Sequence, residues 1–472
     1  MRLADLADMR VAVWGYGREG RAAVDTLRKR FPRKAFTLFC GETEAVAAAE
    51  DFSRIFAASQ ASSPPLPEIV TAAPDAAALA AFDVVIKSPG ISPYRAPYPE
   101  AAARGVRFTS GSALWFAEHP TEKTICVTGT KGKSTVSALL AHLLRSGGLR
   151  VALAGNIGLP LLDLVEVGIV GASSSPDCWV IELSSFQTHD FDGAPSVAVI
   201  NNVFEEHLDW HVSQSNYIAD KLRIVARAQH VVINAAQSEL AGVGAAAARS
   251  VFNSAAGWHV DGDAICFAGE RLVQLTSIPL PGMHNAENVC AALAAIDAAG
   301  YDAKALVAHL ATFKPLPHRL QALGARSGVD YVNDSISTTP YAAIEALRSF
   351  AARDTVVLVG GFDRGVSWKP FADYVAEHPP HAIVAMGANR ETIAAALRAR
   401  DPGKLVFEFA ATLAAAFARA QALVPAGGVI LMSPGAPSFD QFHDYTERGR
   451  EFARLAGFDP KDIAQIMGLG IA

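Results

Sequence analysis

The stretch Thr128-Gly129-Thr130-Lys131-Gly132-Lys133-Ser134-Thr135 decides how this chain is read. Before it runs Thr124-Ile125-Cys126-Val127, with the pattern of a buried strand. After it Val136, Leu139, Leu140, Leu143 and Leu144 recur at helical spacing. A strand feeding a glycine-rich turn at a helix N-terminus makes a phosphate cradle. The glycines let backbone N–H groups converge on anionic oxygens, and the helix dipole adds partial positive charge. In such a turn Lys133 reaches the outer phosphates and the Ser134 hydroxyl faces Mg²⁺. The spacing is tighter than in the usual motif, since only Thr130 and Lys131 separate Gly129 from Gly132. Strand, turn, helix and the Lys-Ser pair together imply binding of a nucleoside triphosphate.

A chain of 472 residues has room for about three domains. Its formal charge of −6 argues against a nucleic-acid partner, which needs a basic surface. Cys40, Cys126, Cys178, Cys266 and Cys290 are scattered and read as small core residues of a reducing compartment. Neither a signal peptide nor a membrane span is read, so a cytoplasmic chain without a membrane partner is expected, as a monomer. Apolar strands alternate with Ala/Leu-rich helices, a rhythm of βαβ units that predicts an α/β fold with mainly parallel sheets.

Three segments follow. In the first, the strand Arg10–Trp14 leads into Gly15-Tyr16-Gly17-Arg18-Glu19-Gly20 and a helix over Arg21–Arg30, the setting of a nucleotide phosphate turn. The next strand, Ala35–Phe39, ends in Cys40-Gly41-Glu42, and Glu42 is an imperfect match for a ribose-binding acid. Val84–Lys87 runs into Ser88-Pro89-Gly90-Ile91, which can complete the same pocket. In the second segment, Cys178–Ile181 delivers Glu182 at a strand end, where an acid can bind Mg²⁺. The strand Ser196–Ile200 leads to Asn201-Asn202-Val203-Phe204-Glu205-Glu206-His207-Leu208-Asp209, rich in metal-binding side chains. Lys221 follows on a helical stretch, Tyr217–Arg227, and in isolation reads as a surface lysine. The third segment begins after the hinge candidate Phe313–Pro317 and repeats the theme of strands ending in polar, Gly-rich loops: Asn333-Asp334-Ser335, Gly360-Gly361-Phe362-Asp363-Arg364-Gly365 and Ser433–Asp440.

Taken together the motifs resemble the Mur ligases, ATP-dependent amino-acid ligases of peptidoglycan synthesis, and within them the MurD type, which adds glutamate to UDP-N-acetylmuramoyl-L-alanine. The matching motifs are GTKGKST, GNIG at Gly155–Gly158, ELSSFQ at Glu182–Gln187, EHLD at Glu206–Asp209, HNAEN at His284–Asn288, PHR at Pro317–Arg319, NDS, GGFDRG and SPGAPSFDQF. They span almost the whole chain in family order. The resemblance implies three domains: 1–118, Rossmann-like and UDP-binding; 119–316, a central P-loop-type ATPase; and 317–472, Rossmann-like and amino-acid-binding. It implies that Gly15, Tyr16, Gly17, Arg18, Glu19, Gly20, Ser88, Pro89, Gly90 and Asn156 hold the UDP-linked substrate. Gly129, Thr130, Lys131, Gly132, Lys133, Ser134, Thr135, Asn285, Asn288, Arg319 and Asp334 would hold ATP. Thr338, Arg364, Ser438 and Tyr445 would hold glutamate. Lys133, Glu182, His207 and Lys221 would be catalytic. Ser134, Glu182, His207 and a carbamylated Lys221 would organise two Mg²⁺ ions. The implied reaction activates a carboxylate as an acyl phosphate, which the glutamate amine then attacks.

Three positions depart from the family pattern. Lys131 replaces an Asn, Ile336 stands where a lysine is expected, and Tyr445 stands where Phe is frequent. A missing cation alters how a dicarboxylate is held. The opening Val13–Arg21 resembles the branch that adds L-glutamate, so the L isomer is expected, with D-glutamate the alternative. A nucleotide-driven switch ATPase leaves Lys221 and the first segment unexplained, and a nicotinamide oxidoreductase leaves the phosphate cradle without purpose. Sister ligases for other amino acids are nearer rivals.

Overall fold

In the computed structural model the described residues are 1–58, 66–167, 175–204, 206–244, 247–400, 403, 405–463 and 469–471. Glu205 and the Asp209 side chain, both in the loop singled out above, lie outside them. The described residues form three sheets. The first contains β1 (Val11–Trp14), β2 (Thr37–Phe39), β3 (Glu68–Val70), β4 (Val84–Lys87) and β5 (Arg107–Thr109), in the order β3-β2-β1-β4-β5 and all parallel. Strand order reverses between β1 and β4, so the turn after β1 and the loop after β4 open at one switch point, where doubly wound sheets bind ligands.

The second sheet contains β6 (Thr124–Thr128), β7 (Val151–Gly155), β8 (Cys178–Glu182), β9 (Val197–Ile200), β10 (His230–Asn234), β11 (Ala248–Phe252), β12 (Trp258–Asp261), β13 (Ala264–Phe267) and β14 (Glu270–Gln274). Its central run β9-β6-β8-β7 is parallel and buried throughout, as strands covered on both faces must be. At one edge β12, β13 and β14 form an antiparallel meander.

The third sheet contains β15 (Gln321–Arg326), β16 (Val329–Asn333), β17 (Thr355–Val359), β18 (Ala382–Met386), β19 (Phe407–Ala410) and β20 (Val429–Met432), in the order β15-β16-β20-β17-β18-β19. Only the hairpin β15–β16 is antiparallel there. A short strand near the chain end, β21 (Gly470–Ile471), returns to the second sheet and pairs with β7.

By packing, the chain falls into two compact units. One holds Met1–Ser277, Glu287–Ala311 and Gly468–Ala472, and so carries the first two sheets. The other holds Ile278–Ala286 and Thr312–Met467 and carries the third. In the first unit one apolar core runs from Leu3 and Val13 through Trp115 and Trp179 to Ile233, and a smaller one gathers around Phe39 and Val85. The second unit has one core on each sheet face, around Val357 and Phe371 and around Leu358 and Phe452. All five cysteines are buried thiols.

Candidate active site

The phosphate turn is built as its sequence requires. Strand β6 ends at Thr128, and the helix Lys133–Ser146 starts from Gly132, which has φ +77°. A Cβ at Gly132 would collide with the Asn288 and Asn201 amides, so both backbone conformation and space demand glycine. Asn201 Nδ2 donates to Asn288 Oδ1 at 2.8 Å and to the Lys131 carbonyl at 3.0 Å. Lys131 N–H donates to Asn202 Oδ1 at 2.7 Å. The loop after β9 thus supports the turn from beneath, and Asn288 belongs to that support. Thr130 Oγ1 lies 2.7 Å from Tyr217 Oη. Lys133 Nζ donates to the carbonyls of Gly129 (2.9 Å) and Thr130 (3.1 Å). Ser134 and Thr135 form the first turn of the helix.

Lys221 is no surface lysine, which corrects the reading of that helix in isolation. It is 1 % exposed on the helix Gln214–Leu222, and its Nζ donates to the Gly129 carbonyl at 2.9 Å, the oxygen that Lys133 also uses. Burial, and next the neighbouring Lys133 ammonium, push its amine well below the ordinary lysine range. A neutral buried amine is the form that can add CO₂. Glu182 closes β8 and is fully buried. Its Oε1 accepts from Asn156 Nδ2 at 2.6 Å, while Oε2 has no hydrogen-bond partner. An orphaned carboxylate oxygen in a buried site calls for a ligand.

His207 starts the short helix Leu208–His211 with φ 59°, and its imidazole is 44 % exposed, 3.7 Å from Glu206 Oε2. Among the described residues no three His, Cys, Asp or Glu side chains gather to hold a metal by themselves. The donors present still fit Mg²⁺, which is held by one or two carboxylates plus phosphate oxygens rather than by an all-protein cage. The departure at Lys131 has a partner: its Nζ lies 2.6 Å from Glu206 Oε1. Burial alone would raise the Glu206 carboxyl, but Lys131 outweighs it and the net shift is downward.

The first sheet presents its own edge. Gly15 has φ +92°, and a Cβ there would stand 2.6 Å from Ser88 Oγ, a buried hydroxyl without a partner. Turn and loop therefore meet at the switch point. Arg18 Nη2 reaches the Asn156 carbonyl at 3.5 Å, and Gln187 Nε2 donates to Glu19 Oε1 at 3.0 Å. Burial raises the Glu19 carboxyl to about 6. Pro89 and Gly90 continue the loop after β4. The Tyr16 ring turns into the fold, against Phe52, with its hydroxyl 3.2 Å from Asp51, so only the backbone of this residue faces the turn. Glu42 begins the helix Glu42–Ala58 and is exposed.

In the second unit Asp334 follows β16 and accepts from Ser433 Oγ (2.7 Å) and the Leu320 N–H (3.0 Å). Burial raises its carboxyl to about 6. Arg448 had no place in the sequence reading, yet it is 1 % exposed and ties the loops together. Its Nε donates to Ser335 Oγ (3.0 Å), Nη2 to the Ser335 carbonyl (2.7 Å) and Nη1 to the Ala436 carbonyl (2.9 Å). Ser438 is buried, Thr338 and Tyr445 are half-buried and Arg364 is exposed. The Tyr445 ring stands 5.8 Å from His318, and its carbonyl accepts from Ser335 Oγ at 2.7 Å. Arg319 Nε is buried without a partner. Asn285 donates to the Pro281 carbonyl at 2.7 Å.

The family profile described as the Mur ligase middle domain matches residues 127–296. A curated protein of Xanthomonas euvesicatoria pv. vesicatoria (strain 85-10), UDP-N-acetylmuramoyl-L-alanine–L-glutamate ligase, is 48 % identical over 100 % of both chains. A Micromonospora protein of the same name is 38 % identical, covering 96 % of this chain and 97 % of its own. Among solved structures, the UDP-N-acetylmuramate–alanine ligase MurC of Thermotoga maritima superposes with a TM-score of 0.59 at 18 % identity, over 95 % of this chain and 99 % of that one. The MurF ligase of the same organism, in complex with ADP, gives 0.56 at 15 % identity, over 97 % and 96 %. These two share the fold. The full-length identity to the curated proteins goes further: the chain belongs to the Mur ligase family.

Proposed function

We propose that the chain is an ATP-dependent ligase that joins UDP-N-acetylmuramoyl-L-alanine to L-glutamate in peptidoglycan precursor synthesis. The observation that carries the phosphoryl-transfer part is the meeting of the Lys133 and Lys221 amines on the Gly129 carbonyl, in the sheet whose neighbouring strand ends in Glu182. Preference for the L isomer is supported by the names of the full-length relatives and by the opening Val13–Arg21, which resembles the branch that adds L-glutamate.

We assign 1–118 to the UDP-linked substrate, 119–316 to ATP and 317–472 to the amino acid. A carboxylate does not acylate an amine at neutral pH, because its oxygen is a poor leaving group. Lys133 and the N–H groups of the phosphate turn would hold the triphosphate and offset charge as the γ-phosphoryl passes to the substrate carboxylate. Ser134, Glu182, His207 and a carbamylated Lys221 would hold Mg²⁺, which supplies further neutralisation of phosphate charge. The turn at Gly15–Gly20 and the loop Ser88–Gly90 would bind the UDP-linked acid, with Asn156 bridging them to Glu182. Thr338, Arg364, Ser438 and Tyr445 would orient glutamate so that its free amine attacks the acyl phosphate and phosphate leaves. Among the described residues no helix is long and apolar enough to cross a membrane. A nucleotide-linked substrate and ATP place the work in the cytoplasm.

The test supplies purified protein with ATP, Mg²⁺ and UDP-N-acetylmuramoyl-L-alanine, and L- or D-glutamate in parallel. Phosphate release and a product of the expected mass should appear with L-glutamate. Turnover with the D isomer alone removes the stereochemical reading, and no turnover with either removes the ligase.

A further inference from the structure

Beside Lys221 lies a polar cluster to which the reaction as described gives no role. The Asp220 side chain is 1 % exposed, yet four side chains address its carboxylate. Tyr94 Oη stands 3.0 Å from both oxygens, His189 Nδ1 2.8 Å from Oδ1, His211 Nδ1 2.9 Å from Oδ2 and Arg223 Nε 3.5 Å from Oδ1. A carboxylate only accepts, so Tyr94 and both imidazole Nδ1–H groups donate to it. The far nitrogen of His211 lies 3.0 Å from Ser185 Oγ. Ser185, His211 and Asp220 thus fall in the line of a hydrolytic triad. The serine is only 4 % exposed and the carboxylate is shared among four groups, so the line fixes elements rather than attacking a substrate.

What it fixes is specific. Ser185 opens the helix that follows Glu182 by three residues, and His189 caps that helix. His211 closes the helix begun by His207. Tyr94 belongs to the loop after β4, which is held again by Ser92 Oγ donating to the Trp210 carbonyl (2.5 Å) and Trp210 Nε1 donating to the Gly90 carbonyl (3.1 Å). Asp220 and Lys221 are successive on one helix, so they project about 100° apart, given 3.6 residues per turn. With Asp220 held, that helix cannot rotate about its axis, and Lys221 stays aimed at the Gly129 carbonyl.

We propose that Asp220 is a positioning residue: it locks the Lys221 helix against the segments that carry Glu182, His207 and the Ser88–Gly90 loop, and so sets where the Lys221 amine, and the carbamate it forms, stands beside the phosphate turn. The inference rests on the ligase reading and on carbamylation of Lys221. Removing the grip should lower kcat while leaving KM for ATP nearly unchanged, because Lys133 still donates to the Gly129 and Thr130 carbonyls and Asn201 and Asn202 still brace the turn. A misplacement of about 1 Å at such a site costs on the order of 100-fold.

The experiment compares the whole protein with its Asp220→Asn variant in two ways: steady-state ligation, and the ¹³C carbamate signal of protein equilibrated with ¹³C-bicarbonate, with Lys221→Ala as the blank. Expected are a kcat lowered about 100-fold, a KM for ATP within about threefold of wild type, and a weakened carbamate signal. Should Asp220→Asn fail to fold, Tyr94→Phe removes one donor and keeps the ring, and should lower kcat about fivefold with a smaller loss of signal. A wild-type kcat in the variant that folds, or a lowered kcat with an undiminished carbamate signal, overturns the inference while the ligase reading stands. A wild-type protein that forms no amide overturns that reading and the inference with it.

Discussion

The strand ends around the phosphate turn and those around Asp334 are made alike, each a parallel sheet opening into Gly-rich polar loops, yet they settle their charges in opposite ways. At the turn, two lysine amines share one carbonyl oxygen, and Glu182 Oε2 at the end of the neighbouring strand has no hydrogen-bond partner. Around Asp334 most polar groups answer each other: Ser433 and Leu320 serve the carboxylate and Arg448 makes three hydrogen bonds, while Arg319 Nε stays buried without a partner. Buried polar groups without partners cost stability, so a chain keeps them where a ligand completes them. The first region is shaped for ligands that bring anionic oxygens; in the second the loops are first tied to one another, and Arg319 Nε is a buried donor left for a ligand.

The comparison breaks most visibly at Lys133. Exchange for Met should lower ligation about 1,000-fold, as loss of a preorganised charge donor at a reacting oxyanion does, with the unfolding midpoint nearly unmoved. Steady-state kinetics beside a thermal melt checks this. Lys221→Ala should cost about 100-fold in kcat, with partial recovery on adding short carboxylates, since a small acid can take the place of the lost carbamate. Full activity without added acid would remove its metal-bridging role.

Arg448→Met should do the reverse. It leaves the Ser335 and Ala436 carbonyls without their donor and should lower stability by about 2–3 kcal/mol. The loss should be read in denaturant unfolding and by hydrogen exchange confined to the second unit, while ATP binding by the folded fraction is retained.

Acid gives a subtler contrast. Burial raises Asp334 to about 6, above its unfolded value near 3.8, so its contribution is fully present below that value and declines as pH rises from about 4 to 6. Burial alone would raise Asp220 too, but hydrogen bonds from His189 and His211 outweigh it and hold its carboxyl well below the usual range. Its contribution is present above about 4 and is lost as pH falls below that. Hydrogen exchange at pH 3 and pH 6 should therefore show the helix Gln214–Leu222 losing protection in acid, with the loop around Asp334 spared. Asp334→Asn should erase the decline between pH 4 and 6. The smallest effect is expected at the half-exposed pair of Lys131 and Glu206, where Lys131→Asn should change KM for ATP by only about two- to fivefold and flatten its salt dependence.

The motifs were legible because local chain geometry makes them. Gly132 must adopt positive φ between a strand and a helix, and Glu182 must stand at a strand end, wherever the rest of the chain goes. The parallel sheets followed from the alternation of apolar strands and helices. The antiparallel meander β12–β14 and the strand β21 were not legible, since short, half-exposed edge strands carry little periodicity. Lys221 shows the limit most directly: on a helix of mixed polarity it reads as exposed, and only the loops packed over it make it a buried amine. Arg448 and Asp220 gave no local signal at all, being an ordinary arginine and aspartate on ordinary helices.

The sequence by itself determined that the chain is α/β, that it holds a phosphate turn and which family motifs it carries, because these depend on residues close together along the backbone. Only the tertiary structure decided which charges are buried and which partners they meet. The low polarity of the interior and the geometry of a hydrogen bond act between segments brought together from distant parts of the chain.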